Sequence, residues 1–343
     1  GEERFRIPPS TLLLEAMRRF DEESAASFEA PEIEAVEIDG HDEQGGEPDE
    51  QAGEPDEQGD ESDEQDDEPE GAVSDAVELE SESAGDEEID AVEEEPAEAT
   101  PIGESNAPDA FPEIPQPKAS IVIPVYNKWS YTAACLTSLL EVKGRYSFEV
   151  IVVDDQSSDE TSHHLSNIRG INYLRNEENL GFVGSCNRGA GEARGEYVVF
   201  LNNDTKVLKG WLDELIDTFD REPLAGLVGS RLVYPDGSLQ ESGGIIFNDG
   251  SGWNYGRDQD ADDPKYHFMR ESDYVSGACI ALRTDNFHEL GAFDERYAPA
   301  YYEDTDLAFR VRESGRKVFI QPQSAIVHYE GVTSGTDTSS GTK

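Results

Sequence analysis

The amino-acid sequence predicts an α/β fold, a three-layer arrangement around a mainly parallel sheet, preceded by an acidic tail that does not fold. Three observations carry this. The charge is uneven: residues 1–117 hold 42 Asp and Glu against four Lys and Arg, while the other 226 residues hold 35 and 22. After Lys118, short apolar runs alternate with stretches of helical periodicity, the pattern of βαβ crossovers. Several of those runs end in small amides and carboxylates, which suit the carboxyl edge of an open sheet, where such sheets bind ligands.

In chain order, residues 1–30 contain one island of helical spacing, with Leu12, Leu13, Met17 and Phe20 behind the N-cap candidate Ser10. Residues 31–117 read as a disordered acidic linker. The seven-residue unit Gly46-Glu-Pro-Asp-Glu-Gln-Ala52 recurs at Gly53–Gly59 without apolar a/d positions and with a proline in each copy, which rules against a coiled coil. Its functional reading is a spacer, or an arm for a basic protein partner. Residues 118–335 form the expected globular domain and 336–343 a flexible end. The terminal sequences suit a piece of a longer protein with further domains.

Within the domain, Ser120–Tyr126 reads as a buried strand and Tyr131–Val142 as a helix. Phe148–Asp154, Ile171–Arg175 and Tyr197–Leu201 follow as strands, with a glycine-rich loop over Asn179–Gly189 leading into a helix. Leu208–Arg221 is an amphipathic helix. Leu227–Gly229 and Arg231–Tyr234 are two short strands, followed by the turn signal Asp236-Gly237. Ser242–Arg270 is expected to be a long mobile loop and Tyr274–Leu282 a strand. Phe287–Leu290 and Glu303–Ser314 are helices, and Lys317–Ile320 and Ala325–His328 are two closing strands.

Composition excludes some classes. A net charge of −51 repels a nucleic-acid backbone. Cys135, Cys186 and Cys279 lie far apart in apolar or small-residue settings and read as buried thiols of a reducing compartment. No apolar run has the length of a membrane span.

The chemistry centres on Asn202-Asn203-Asp204-Thr205, at the exit of the apolar run Tyr197–Leu201. A carboxylate at that edge, with no basic neighbour in sequence, suits a hard divalent cation carrying phosphates; a simple Asx turn is the bland alternative. Further segments are Ser120–Asn127, Ile151–Ser157, Asn176–Phe182 with Asn187 and Gly189, Val199–Asp204, Ser276–Arg283, Gly291–Glu295 and Glu303–Leu307. Their order and spacing resemble family 2 glycosyltransferases with the GT-A fold, of the bacterial rhamnosyl- and galactosyl-type transferases of surface-glycan assembly. The likeness runs from Lys118 to Val332.

The resemblance implies an inverting transfer of a sugar from a UDP- or dTDP-sugar to a hydroxyl of a glycan or lipid-linked acceptor, in the cytoplasm or at the inner face of the plasma membrane. Pro124, Val125 and Tyr126 would line base and ribose. Asp155 would accept from the N3–H of the pyrimidine. Asp154 is either a second ligand contact or a turn cap. Gly181 and Asn187 would let the chain pass close to the nucleotide, and Asn203 would hold the turn or a donor hydroxyl. Asp204 matches the last carboxylate of the family's DXD motif, with Asn202 where its first Asp stands. His328 matches a metal-ligating histidine, tilting the choice between Mn²⁺ and Mg²⁺ towards Mn²⁺. Asp304 matches the general base and Glu303 would orient the acceptor. A non-catalytic glycan- or nucleotide-sugar-binding module with an acidic interaction tail is the alternative, supported by the missing first Asp of the motif.

Overall fold

A computed structural model describes residues 107–248 and 250–331. The expected N-terminal helix, most of the acidic linker and the C-terminal end lie outside these residues. The end of the linker does not. Phe111 is buried in the core and its amide donates to Arg169 O at 2.8 Å, so the folded unit starts before Lys118.

The first half is the expected parallel sheet. Strands β1 (Ala119–Val125), β2 (Phe148–Asp154), β3 (Asn172–Arg175) and β4 (Tyr197–Leu201) lie in the order β3-β2-β1-β4 and run parallel. Helices α1 (Trp129–Glu141), α2 (Thr161–Leu165) and α3 (Gly181–Gly191) connect them. Ile121, Ile123, Val150 and Val152 enter one core; Val122, Ile151 and Val153 enter the other. Strands apolar on both faces need cover on both. Leu136 and Leu139 of α1 and Leu212 and Leu215 of α4 (Trp211–Arg221) cover one face. Val183 of α3, Phe287 of α5 (Thr284–Glu289) and Leu307 of α6 (Glu303–Glu313) cover the other. The three cysteines are buried free thiols.

The second half makes the sheet mixed. Strand β12 (Cys279–Arg283) runs antiparallel to both β4 and β6 (Ala225–Val233). β13 (Lys317–His328) pairs parallel with β6 and antiparallel with β5 (Thr205–Val207). β7 (Ser238–Glu241) returns against β6 across the Asp236-Gly237 turn.

Four expectations change here. The two strands expected over 227–234 are one, because Gly229 is a packing choice and not a break: a Cβ there would sit 2.5 Å from Val275. The two closing strands are also one, with a register shift between Gln321 and Ala325 where Pro322 interrupts the ladder. The loop expected over Ser242–Arg270 carries the hairpin β8 (Gly244–Ile246) and β9 (Gly252–Asn254), then β10 (Gln259–Asp260) on the edge of the main sheet, and it ends in β11 (Arg270–Glu271), antiparallel to β13. Tyr255 and Tyr266, edge to face at 5.3 Å, pin it over Leu239. Tyr274–Ala278 is not strand but an irregular segment leading into β12. Among the described residues no helix is long and apolar enough to cross a membrane.

Candidate active site

Strand ends and helix starts meet in a cleft of about 640 Å³. Two pairings build its floor. The amide of Asn202, just past β4, donates to Ala278 O at 3.0 Å, setting the Ser276–Ala278 turn beside the Asn202–Asp204 turn. The β5–β13 pairing places His328 opposite Thr205, and the Tyr329 amide donates to Asp204 O at 2.9 Å. Asp204 and His328, far apart in sequence, therefore stand side by side.

His328 Nε2 lies 3.3 Å from Asp204 Oδ1. That carboxylate oxygen is buried with no hydrogen-bond donor, as is Oδ1 of Asn202. Buried polar oxygens left without donors are costly and rare, and a divalent cation is the partner they suit. Asn202 keeps an oxygen where the expected motif has a carboxylate, so the substitution removes a charge without removing a donor atom. Asn203, whose amide donates to Thr132 Oγ1 at 3.0 Å, holds the turn against α1 and also lines the cleft. Among the described residues no set of three or more His, Cys, Asp and Glu side chains forms a metal cage. The cation's remaining ligands would come from substrate and water, the usual arrangement for cations that carry phosphates. Burial lowers the His328 pKa, but the Asp204 carboxylate opposes it and the net direction is up.

Across the cleft, α6 opens with Glu303 and Asp304 after two residues in the left-handed region, Tyr301 (φ 80°) and Tyr302 (φ 66°). Strained backbone of this kind costs of order 1–3 kcal/mol and persists where surrounding structure enforces it. Asp304 accepts from the Gly277 amide at 2.8 Å through Oδ2 and from the Thr305 amide at 2.6 Å through Oδ1. Burial raises its pKa against those donors. Glu303 is buried, its Oε2 has no partner, and burial followed by the charge of Asp304 pushes its pKa up. Asp306 pairs with Arg310 at 2.6 Å inside the domain.

At the nucleotide end, Pro124, Val125, Tyr126, Asp155 and Gly181 line the cleft. Gly181 has φ +69° and a Cβ there would lie 2.6 Å from Pro299, so both backbone and space require glycine. Asp155 anchors the glycine loop: it accepts from Leu180 N at 2.7 Å and Gly181 N at 2.9 Å, and from Asn176 Nδ2 at 2.6 Å.

Two candidates do structural work in this fold, and for Asp154 it is the turn-cap alternative. Asp154 is fully buried behind the wall, accepting from Ser157 N at 2.8 Å and Tyr173 Oη at 2.9 Å and paired with Arg175, so it fixes the β2 exit. Asn187 exchanges two hydrogen bonds with the Phe293 backbone, at 2.8 and 3.0 Å, and ties α3 to that loop. Neither faces the cleft.

Four residues escaped the sequence reading. Arg257 and Glu330 line the cleft and pair at 2.8 Å. Gln240 and Glu241 are buried at the end of β7. Gln240 Oε1 meets His328 Nδ1 at 3.0 Å, and Glu241 Oε1 accepts from Ser276 N at 2.9 Å. Burial pushes the Glu241 carboxyl up to about 7. The available signal was two adjacent polar residues inside a buried strand.

The walls carry five carboxylates, Asp155, Asp204, Glu303, Asp304 and Glu330, against one guanidinium, Arg257. Such a cleft repels a diphosphate unless a cation is bound with it.

Comparison with known proteins agrees with this geometry. Residues 120–290 match the family model described as Glycosyl transferase family 2. The O-antigen biosynthesis protein RfbC of Myxococcus xanthus is 30% identical over 230 residues, 64% of this chain but 18% of that protein. The N-acetylglucosaminyl-diphospho-decaprenol L-rhamnosyltransferase of Mycobacterium tuberculosis is 28% identical over 217 residues, covering 56% of this chain and 69% of that enzyme. Among solved structures, GalNAc-T7 with UDP, GalNAc and Mn²⁺ superposes with a TM-score of 0.52 at 18% identity, over 63% of this chain and 44% of that one, a likeness of fold. The glycosyltransferase domain built around this cleft belongs to glycosyl transferase family 2.

Proposed function

We propose that the domain is an inverting, divalent-metal-dependent transferase that moves a sugar from a UDP- or dTDP-sugar to a hydroxyl of a glycan or lipid-linked acceptor. The observation that carries this is the opposition, in one cleft, of the Asp204–His328 pair and the Glu303–Asp304 helix start. Similarity to a rhamnosyltransferase, and to a fold solved with UDP and Mn²⁺, supports the same reading.

In this reading Asp204, His328 and Asn202 would hold Mn²⁺ or Mg²⁺, which would supply charge neutralisation for the leaving nucleoside diphosphate. Pro124, Val125 and Tyr126 receive the nucleoside, and Asp155 accepts from the N3–H of the pyrimidine. Asp304 takes the proton of the acceptor hydroxyl as its oxygen bonds to the anomeric carbon; the bond to the phosphate oxygen breaks and its electron pair leaves with the nucleotide. A raised carboxyl pKa makes Asp304 a stronger base than a solvated aspartate. Glu303, with one oxygen unclaimed, orients the acceptor. Thermal stabilisation across a panel of nucleotide sugars, with Mn²⁺ and with EDTA, tests the reading. A UDP- or dTDP-sugar should stabilise the chain only with the metal, and no stabilisation by any member would contradict it.

A further inference from the structure

The metal side of the cleft is backed by a polar chain running from Arg257 through Glu330 and Gln240 to His328 and Asp204. Arg257 Nη2 reaches Glu330 Oε2 at 2.8 Å, and Tyr234 Oη donates to the same oxygen at 2.8 Å. The side chain of Gln240 lies between that carboxylate and the His328 ring, with Oε1 towards the ring. An ionised carboxylate only accepts, so the NH₂ end of Gln240 must face Glu330. Its other end, Oε1, lies 3.0 Å from His328 Nδ1. An amide oxygen also only accepts, so Nδ1 must carry the proton. In the neutral ring this leaves a lone pair on Nε2, 3.3 Å from an Asp204 oxygen that has no hydrogen-bond donor. Without metal a second ring proton, which the Asp204 carboxylate favours, bridges these two lone-pair groups; a divalent cation takes that proton's place.

We propose that Gln240 is the positioning residue of the metal site: held by Glu330, it locks His328 in the Nδ1–H tautomer and aims Nε2 at the divalent cation. This rests on the reading of Asp204 and His328 as metal ligands. Groups that orient a ligating histidine are typically worth roughly 10–100-fold in metal affinity. Gln240 touches neither nucleotide nor acceptor in this scheme, so its loss acts through His328 alone.

Two measurements on the full 343-residue chain test it, neither depending on turnover. The first is Mn²⁺ binding followed by the electron paramagnetic resonance of free ion, in wild type, Gln240→Met and His328→Ala. Gln240→Met should weaken binding by roughly 10–100-fold, approaching His328→Ala. The second is the ¹⁵N spectrum of the metal-free His328 ring at alkaline pH, which should show Nδ1–H in wild type and a shift towards Nε2–H in Gln240→Met. If His328→Ala binds Mn²⁺ as wild type does, the ligand reading itself fails. If His328→Ala is weakened while Gln240→Met is not, only the positioning role is overturned. An Nε2–H ring in the wild-type chain overturns it even if Gln240→Met does not fold.

Discussion

The backbone amide of Gly277 donates to Asp304 Oδ2 at 2.8 Å, while the carbonyl of the next residue, Ala278, receives the amide of Asn202. The turn that leads into β12 thus grips both the metal-side loop and the proposed base. Their separation is fixed by backbone, not by long side chains, which is the rigidity that positioning two reacting groups demands.

Asp304→Asn keeps the shape and the Gly277 contact but cannot take a proton. Transfer should fall by roughly 10²–10⁴-fold, while calorimetry shows nucleotide-sugar affinity unchanged. Equal loss of rate and affinity would move the base elsewhere.

Glu241 links pH to stability. Its carboxyl is fully buried with one oxygen unpartnered, and burial raises it from 4.5 to about 7. A raised folded pKa means that the folded state holds the proton longer than the unfolded chain. The contribution is therefore complete below pH 4.5 and is lost as pH rises to about 7. Glu241→Gln removes this slope. Denaturant melts at pH 5 and pH 8 should show a pH 8 advantage of up to roughly 3 kcal/mol for the variant over the parent, relative to their difference at pH 5. Parallel curves would place Glu241 in a better-solvated setting than the structure shows.

Gly181→Ala forces a Cβ onto Pro299 and a side chain into a left-handed backbone. The conformation alone costs roughly 1–2 kcal/mol, and the clash adds to it. A lower melting temperature and weaker nucleotide binding should appear together, because the same loop hydrogen-bonds Asp155. Unchanged values for both would mean that the loop has room to spare.

The parallel half was legible because three of its four strands, β1, β2 and β4, are runs of apolar residues buried on both faces, a pattern written locally. The second half was less so. Gly229 ended one expected strand and Gly226 lay outside it, whereas both sit inside β6, where Val275 and Val311 fill the space a side chain would take. Site residues divided along the same line. Asp154 and Asp155 are adjacent carboxylates at one strand end, and the local pattern left the role of Asp154 open. The neighbouring strand β3 decides between them, since Tyr173 and Arg175 claim Asp154 and leave Asp155 at the wall. Gln240 reaches His328 across 88 positions of sequence, a contact that no local pattern announces.

The central claim, that Asp204 and His328 hold a cation which in turn holds a diphosphate, is tested most directly by calorimetric titration of UDP into wild type and Asp204→Ala, each with Mn²⁺ and with EDTA. Strong binding is expected in one of the four mixtures, wild type with Mn²⁺, and weak, metal-indifferent binding in the other three. Equal Mn²⁺ enhancement in Asp204→Ala would contradict it.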